Sequence, residues 1–122
     1  MGYMSDVALA IREQDYELLR EVNKENKNLI DLLDITETVE YDGVVVLHWY
    51  EIKWYDEFPD VKAIEEFIHR LADEDKPYKF IRVGEDTQDI EVDYSYGDEE
   101  KYESVSYRIN DIIGVTKYID IQ

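Results

Sequence analysis

Seven carboxylates stand against one lysine in the stretch DIEVDYSYGDEEKYE, residues 89–103. Carboxylates at this density can hold a cation, move a proton, or present a negative surface to a positive one. In strand geometry Ile90, Val92 and Tyr94 share one face and are expected to enter the core, while Asp89, Glu91 and Asp93 share the other. Same-face neighbours on a strand lie about 6.6–6.8 Å apart, a separation that resembles that of successive phosphates along a nucleic-acid strand. Asp98, Glu99, Glu100 and Glu103 extend the negative surface around the following turn, and Glu85 and Asp86 crowd it from the preceding one. Tyr94, Tyr96, Tyr102 and Tyr107 lie among these acids, and exposed tyrosines make good interface anchors. Core and hairpin packing is the expected role of at least half of them.

Cation and proton chemistry find no frame in this stretch. EDTQDIEVD, residues 85–93, is rich in oxygen ligands but lacks the glycine and terminal glutamate spacing of an EF-hand loop. Elsewhere, Glu51-Ile52-Lys53 follows a hairpin that contains Asp42, the residue types of a D…(D/E)xK metal-dependent nuclease. There two acids hold Mg²⁺ and the lysine orients the attacking water. Strand alternation puts Glu51 and Lys53 on one face, but Asp42 falls in the turn rather than beside Glu51. An ordinary cross-strand charge pair is the simpler expectation. His48 in an apolar strand and His69 beside a helical stripe have no recognisable nucleophile partner. With no cysteine there is no disulfide, no thiolate nucleophile and no Cys-ligated metal. The five glycines are scattered and build no phosphate loop. Neither an enzyme nor a bound cofactor or metal is expected.

The negative-surface option agrees with the whole chain. Its 122 residues hold 31 Asp and Glu against 13 Lys and Arg, a formal charge of −18. Such a charge repels DNA and RNA, whose binders carry basic stripes, so direct nucleic-acid binding is not expected. It also costs stability through self-repulsion. Residues 1–35 hold 8 acids and 4 bases, whereas residues 36–122 hold 23 and 9, so the excess sits in the second part. At 44% apolar or aromatic residues, including 11 tyrosines, the chain is no disordered acidic tail. No apolar stretch approaches membrane-spanning length, and MGYMSDVALAIREQ lacks a basic n-region followed by an apolar run. A cytoplasmic protein with no membrane partner is expected.

The elements that must position these residues read as one α+β domain over 1–122, with a helical segment over 1–35 and a sheet-containing part over 36–122. VALAI (7–11), LLREV (18–22) and LIDLL (29–33) recur every 11 residues, three turns of a nearly straight helix. The repeat predicts a helix over 6–34, long or broken near NKENKN (23–28). Its apolar stripe either packs on a sheet or seals a homodimer. Asp42-Gly43 between β-prone runs predicts a hairpin, whose second strand alternates Tyr50, Ile52 and Trp54 against Glu51 and Lys53. Pro59 opens a second helix with Val61, Ile64, Phe67, Ile68 and Leu71 as its buried stripe. Four further strands follow at 78–83, 89–96, 102–109 and 114–121, joined by hairpins and pairing antiparallel, with the helices on one face of the sheet.

In size, charge and acid-plus-tyrosine composition the chain resembles the small acidic inhibitors of phages and mobile elements, such as anti-restriction and anti-CRISPR proteins. No motif carries that resemblance, so no site residue is transferred from it. What it implies is an acidic binding protein that imitates nucleic acid and blocks a basic nucleic-acid-binding protein. The partner-binding residues expected from the chain itself are Glu85, Asp86, Asp89, Glu91, Asp93, Tyr94, Tyr96, Asp98, Glu99, Glu100 and Glu103. The alternatives are a homo-oligomer assembled through the 11-residue repeat and, further off, the ExK nuclease.

Overall fold

VALAI is an unbroken apolar run only five residues long, and its residues alternate large and small. A computed structural model, which describes residues 2–25, 32–33, 36–86, 88–115 and 119–121, makes this run a strand. Strand β1, Ser5–Arg12, is the middle strand of a five-stranded antiparallel sheet. Val7, Ala8, Leu9, Ala10 and Ile11 are all fully buried. An apolar run of this length suits a strand covered on both faces. The predicted helix over 6–34 is therefore corrected. Helix α1 covers only Glu13–Glu25, and the first copy of the repeat is not helical. Of the third copy, Leu29, Ile30 and Asp31 lie outside the described residues, and so does the second half of the expected break, 26–28.

The Asp42-Gly43 hairpin forms as expected between β2, Glu37–Tyr41, and β3, Val44–Ile52. Both turn residues take positive φ, 52° and 83°, the mirror-image turn whose twist suits paired strands. Beyond Trp49 the β1–β3 register shifts, and Glu51 adopts φ 47°. That irregularity breaks the predicted alternation. Ile52 and Trp54 pack with Trp49 in the core, whereas Tyr50 is exposed.

Helix α2, Pro59–Asp73, buries Val61, Ile64, Phe67, Ile68 and Leu71, the stripe its sequence predicts. Strand β4, Tyr78–Gly84, pairs with β1, and β5, Ile90–Ser95, pairs with β4. The sheet order is β2-β3-β1-β4-β5, with β2 and β5 at the edges.

The segment 102–109, expected as a strand, is instead part of helix α3, Glu99–Ile112, which is kinked at Tyr102, where φ −125° and ψ 15° are not helical. Asp98 caps it by accepting a hydrogen bond from the Glu100 N–H, and Glu99 and Glu100 favour the positive end of the helix dipole. Val105, Ile109 and Ile112 recur at helical spacing and pack on Ala8, Ala10, Val46 and Ile81. The expected strand over 114–121 is two short strands, β6, Ile113–Val115, and β7, Ile119–Ile121, which form a sheet of their own.

Helices consequently lie on both faces of the main sheet, not on one. Val7, Leu9, Ile11, Leu47, Trp49 and Phe80 meet α1 and α2 on one face, and Ala8, Ala10, Val44, Val46 and Ile81 meet α3 on the other. The size alternation along β1 fits this: alanines stand under α3, and branched residues fill the thicker layer under α1 and α2. Leu18 and Val22, expected as a possible dimer seam, pack against this chain's own core.

Candidate functional site

Strand β5 carries the centre of the acidic run, and the register decides where each side chain points. Val92 pairs with Ile81 and Tyr94 with Lys79, so Ile90, Val92 and Tyr94 share the α3 face. Asp93 pairs with Phe80 and Glu91 with Arg82, which puts both acids on the α2 face. The expectation that Ile90, Val92 and Tyr94 are buried is corrected: they are 41%, 49% and 56% exposed. The cause is position in the sheet. β5 is an edge strand, and α3 meets it at Ser95, whose carbonyl accepts from the Asn110 amide at 3.2 Å.

The expected acids separate into two groups by what they touch. At the β4–β5 connection the carboxylates are tied into the fold. Arg82 donates to Asp89 from both terminal guanidinium nitrogens, at 2.7 and 3.1 Å, and also meets Glu91 at 3.4 Å and the Ser5 hydroxyl at 3.2 Å. Tyr3 donates its hydroxyl to Asp89 at 2.8 Å. The hydrogen bond from Arg82, and then that from Tyr3, holds the Asp89 carboxyl below the usual carboxylate range. Reciprocally, the Asp89 hydrogen bond raises the Arg82 guanidinium above its ordinary value. Glu85 accepts from the Met4 N–H at 2.9 Å, and the Asp86 carboxylate accepts from the Gln88 N–H at 2.9 Å. Asp93 accepts from the Tyr78 hydroxyl at 3.0 Å; burial, reinforced by that bond, pushes Tyr78 up to about 12.

At the start of α3 the acids are free. Glu99, Glu100 and Glu103 are exposed and make no ion pair among the described residues. With Tyr96, Ser106 and Tyr107 they line a surface groove of about 250 Å³. Tyr96 sits between Tyr94, edge-on at 5.9 Å between ring centroids, and Tyr107 at 5.6 Å. The order of this corner depends on Gly97, whose φ is 68° and where a Cβ would lie 2.6 Å from the Asp75 carbonyl oxygen. The next residue, Asp98, donates its N–H to that same carbonyl at 2.8 Å. The end of α2 thus fixes where α3 begins.

Tyr107 belongs to this surface and is absent from the expected contact set. The sequence does contain its signal: Tyr96 and Tyr107 stand on either side of the acidic helix start that Asp98 caps, but the alternation within 102–109 reads as a strand. Tyr102, by contrast, is partly buried and lies under the Arg12 guanidinium at 4.5 Å.

The nuclease constellation does not assemble. Asp42 is at one end of β3, paired with Arg108 at 3.5 Å, and Glu51 is at the other, about 25–30 Å away along the strand. Lys53 lies beyond the strand end. No group of three or more His, Asp or Glu side chains able to hold a metal occurs among the described residues. His48 is 3% exposed, stacked on Tyr50 at 3.9 Å, and neither ring nitrogen has a hydrogen-bond partner among the described residues. His69 is exposed on α2. No helix among the described residues is long and apolar enough to cross a membrane. Comparison with protein-family models, curated proteins and solved structures returns no match for the chain.

Proposed function

We propose that this chain is an acidic binding protein that inhibits a basic nucleic-acid-binding protein by occupying its nucleic-acid surface, in the manner of anti-restriction or anti-CRISPR inhibitors. One observation carries the reading: Glu99, Glu100 and Glu103, without ion pairs among the described residues, border the exposed tyrosines Tyr96 and Tyr107 in one groove. Unpaired carboxylates supply the long-range field that speeds encounter and sets orientation. Tyrosines supply desolvated contact area, from which most of the affinity of an interface comes. Acids already held by Arg82 add to the field but have less to gain from a new cation.

A homo-oligomer built through the helical repeat has no observation in its favour, because Leu18 and Val22 face the chain's own core. The test is a pull-down from cell lysate with the purified protein, at low and moderate salt, with mass spectrometry of what is retained. Retention of a basic nucleic-acid enzyme that added duplex DNA displaces is the expected outcome. Recovery of the protein alone, or of nothing that salt or DNA displaces, contradicts the proposal.

A further inference from the structure

Among the described residues no strand pairs with the outer side of β5. The six residues of β5 pair with β4 without a bulge and contain no proline. The backbone groups of Val92 and Tyr94 face outward with the Ile90 carbonyl, while the Ile90 N–H is taken by the Gln88 carbonyl at 3.1 Å. Natural edge strands are usually blunted by proline, bulges, lysine or shortness. Here the side chains of the edge do something more selective. One face offers Ile90, Val92 and Tyr94 as an exposed apolar row, continued by the rings of Tyr96 and Tyr107. The other offers Glu91, 62% exposed, and Asp93. A strand laid against this edge would meet apolar and acidic positions in strict alternation.

Charge decides between the occupants of such an edge. A second copy pairing through its own β5 would set Glu91 and Asp93 against the same acids, and like charges opposite one another destabilise a sheet. The −18 charge of each chain adds to that repulsion. A segment that alternates lysine or arginine with apolar or aromatic residues suffers neither cost. Its cations would face Glu91, which meets Arg82 only at 3.4 Å and stays 62% exposed, and Asp93, whose one partner among the described residues is the neutral Tyr78 hydroxyl. Its apolar side chains would cover Val92 and Tyr94. Backbone pairing gives affinity in this mode, and the alternating side chains give selectivity.

We infer that β5 accepts an extended basic segment of the partner protein as a sixth strand of the main sheet. This rests on the proposed function, whose partner it makes more specific: the partner presents an alternating basic and apolar stretch, and not only a basic surface. The edge at β2 is also exposed, and Tyr41 shares a groove with Tyr107, but Glu37 falls in its apolar row and Thr38 beside Glu40, so apolar and acidic positions do not alternate there.

The test uses the intact protein and two synthetic probes. One is a short acetylated peptide of alternating lysine and valine; the other is the same peptide N-methylated at every residue, with equal charge but no backbone donors. Binding is followed by backbone amide resonances and by hydrogen exchange. The expected result is that the first peptide binds at least about tenfold tighter and slows exchange at residues 90–95. Equal binding of the two peptides overturns strand addition while leaving electrostatic capture intact. Protection at Glu37–Tyr41 in place of β5 overturns the choice of edge. Failure of both peptides to bind at low salt overturns this inference and the acidic-surface reading together.

Discussion

The β4–β5 connection and the first turns of α3 have nearly the same composition, yet their carboxylates do different work. At the connection Asp89 is bonded by Arg82 and Tyr3, and Glu91 leans on the same guanidinium. At α3, Asp98 caps the helix, and Glu99, Glu100 and Glu103 point to solvent. The difference comes from what stands opposite. β5 is paired with a strand that supplies an arginine and a tyrosine, whereas Glu99, Glu100 and Glu103 at the start of α3 meet no cationic side chain among the described residues. Acid density therefore does not tell held carboxylates from free ones; what stands opposite them does.

The sharpest contrast to that free surface is Asp15. It is 1% exposed, takes two hydrogen bonds from Arg12 at 2.8 and 2.9 Å, and lies 3.6 Å from Lys76. Removing one member of a buried pair strands the other, so Asp15→Ala is expected to cost about 3–5 kcal/mol in urea unfolding. Arg82→Ala removes a half-buried guanidinium that ties Ser5, Asp89 and Glu91 together, with an expected loss of about 1–2 kcal/mol. It leaves Asp89 and Glu91 facing each other unscreened, and the loss should grow as salt is lowered. Combined Glu99→Gln, Glu100→Gln and Glu103→Gln is expected to shift stability by no more than about 0.5 kcal/mol per site. Equal destabilisation by the Arg82 and triple variants would erase the distinction between the two regions.

A smaller effect separates acid loss from histidine charging. Burial lowers the His48 pKa, outweighing the attraction of Asp6 and Glu37 for its charged form. Its folded pKa lies below its unfolded value, so the stability it contributes is complete above the unfolded pKa of about 6.5 and is lost as pH falls through the folded one. His48→Leu should therefore lose less stability than the wild type between about pH 7 and pH 5. Parallel decline of the two proteins would show that His48 does not titrate in the folded core.

Much of the fold was legible where one local signal had no rival. Asp42-Gly43 requires positive φ at both positions, and the α2 stripe has one period and a proline start. VALAI misled because a short run buried on both faces has no periodicity of its own, and an 11-residue coincidence supplied one. YESVSYRI misled for the opposite reason: Val105, Tyr107 and Ile109 alternate as a strand would, while Val105, Ile109 and Ile112 recur as a helix does. The Asp98 cap and the acidic first turn favoured the helix and were treated only as charge. For the candidate site, the acids were visible in sequence, but their division into held and free was not, since Arg82 and Tyr3 reach Asp89 only through the sheet register and the N-terminal segment.

The central claim is that the free acids at α3 do the capturing, and the most direct measurement compares two charge-matched variants with the wild type in the same pull-down. One carries Glu99→Gln, Glu100→Gln and Glu103→Gln; the other carries Glu17→Gln, Glu21→Gln and Glu25→Gln on the exposed side of α1. Loss of the DNA-displaceable partner from the first variant, with retention by the second, is the predicted result. Equal loss from both, or no loss from either, would mean that bulk charge or another surface makes the contact.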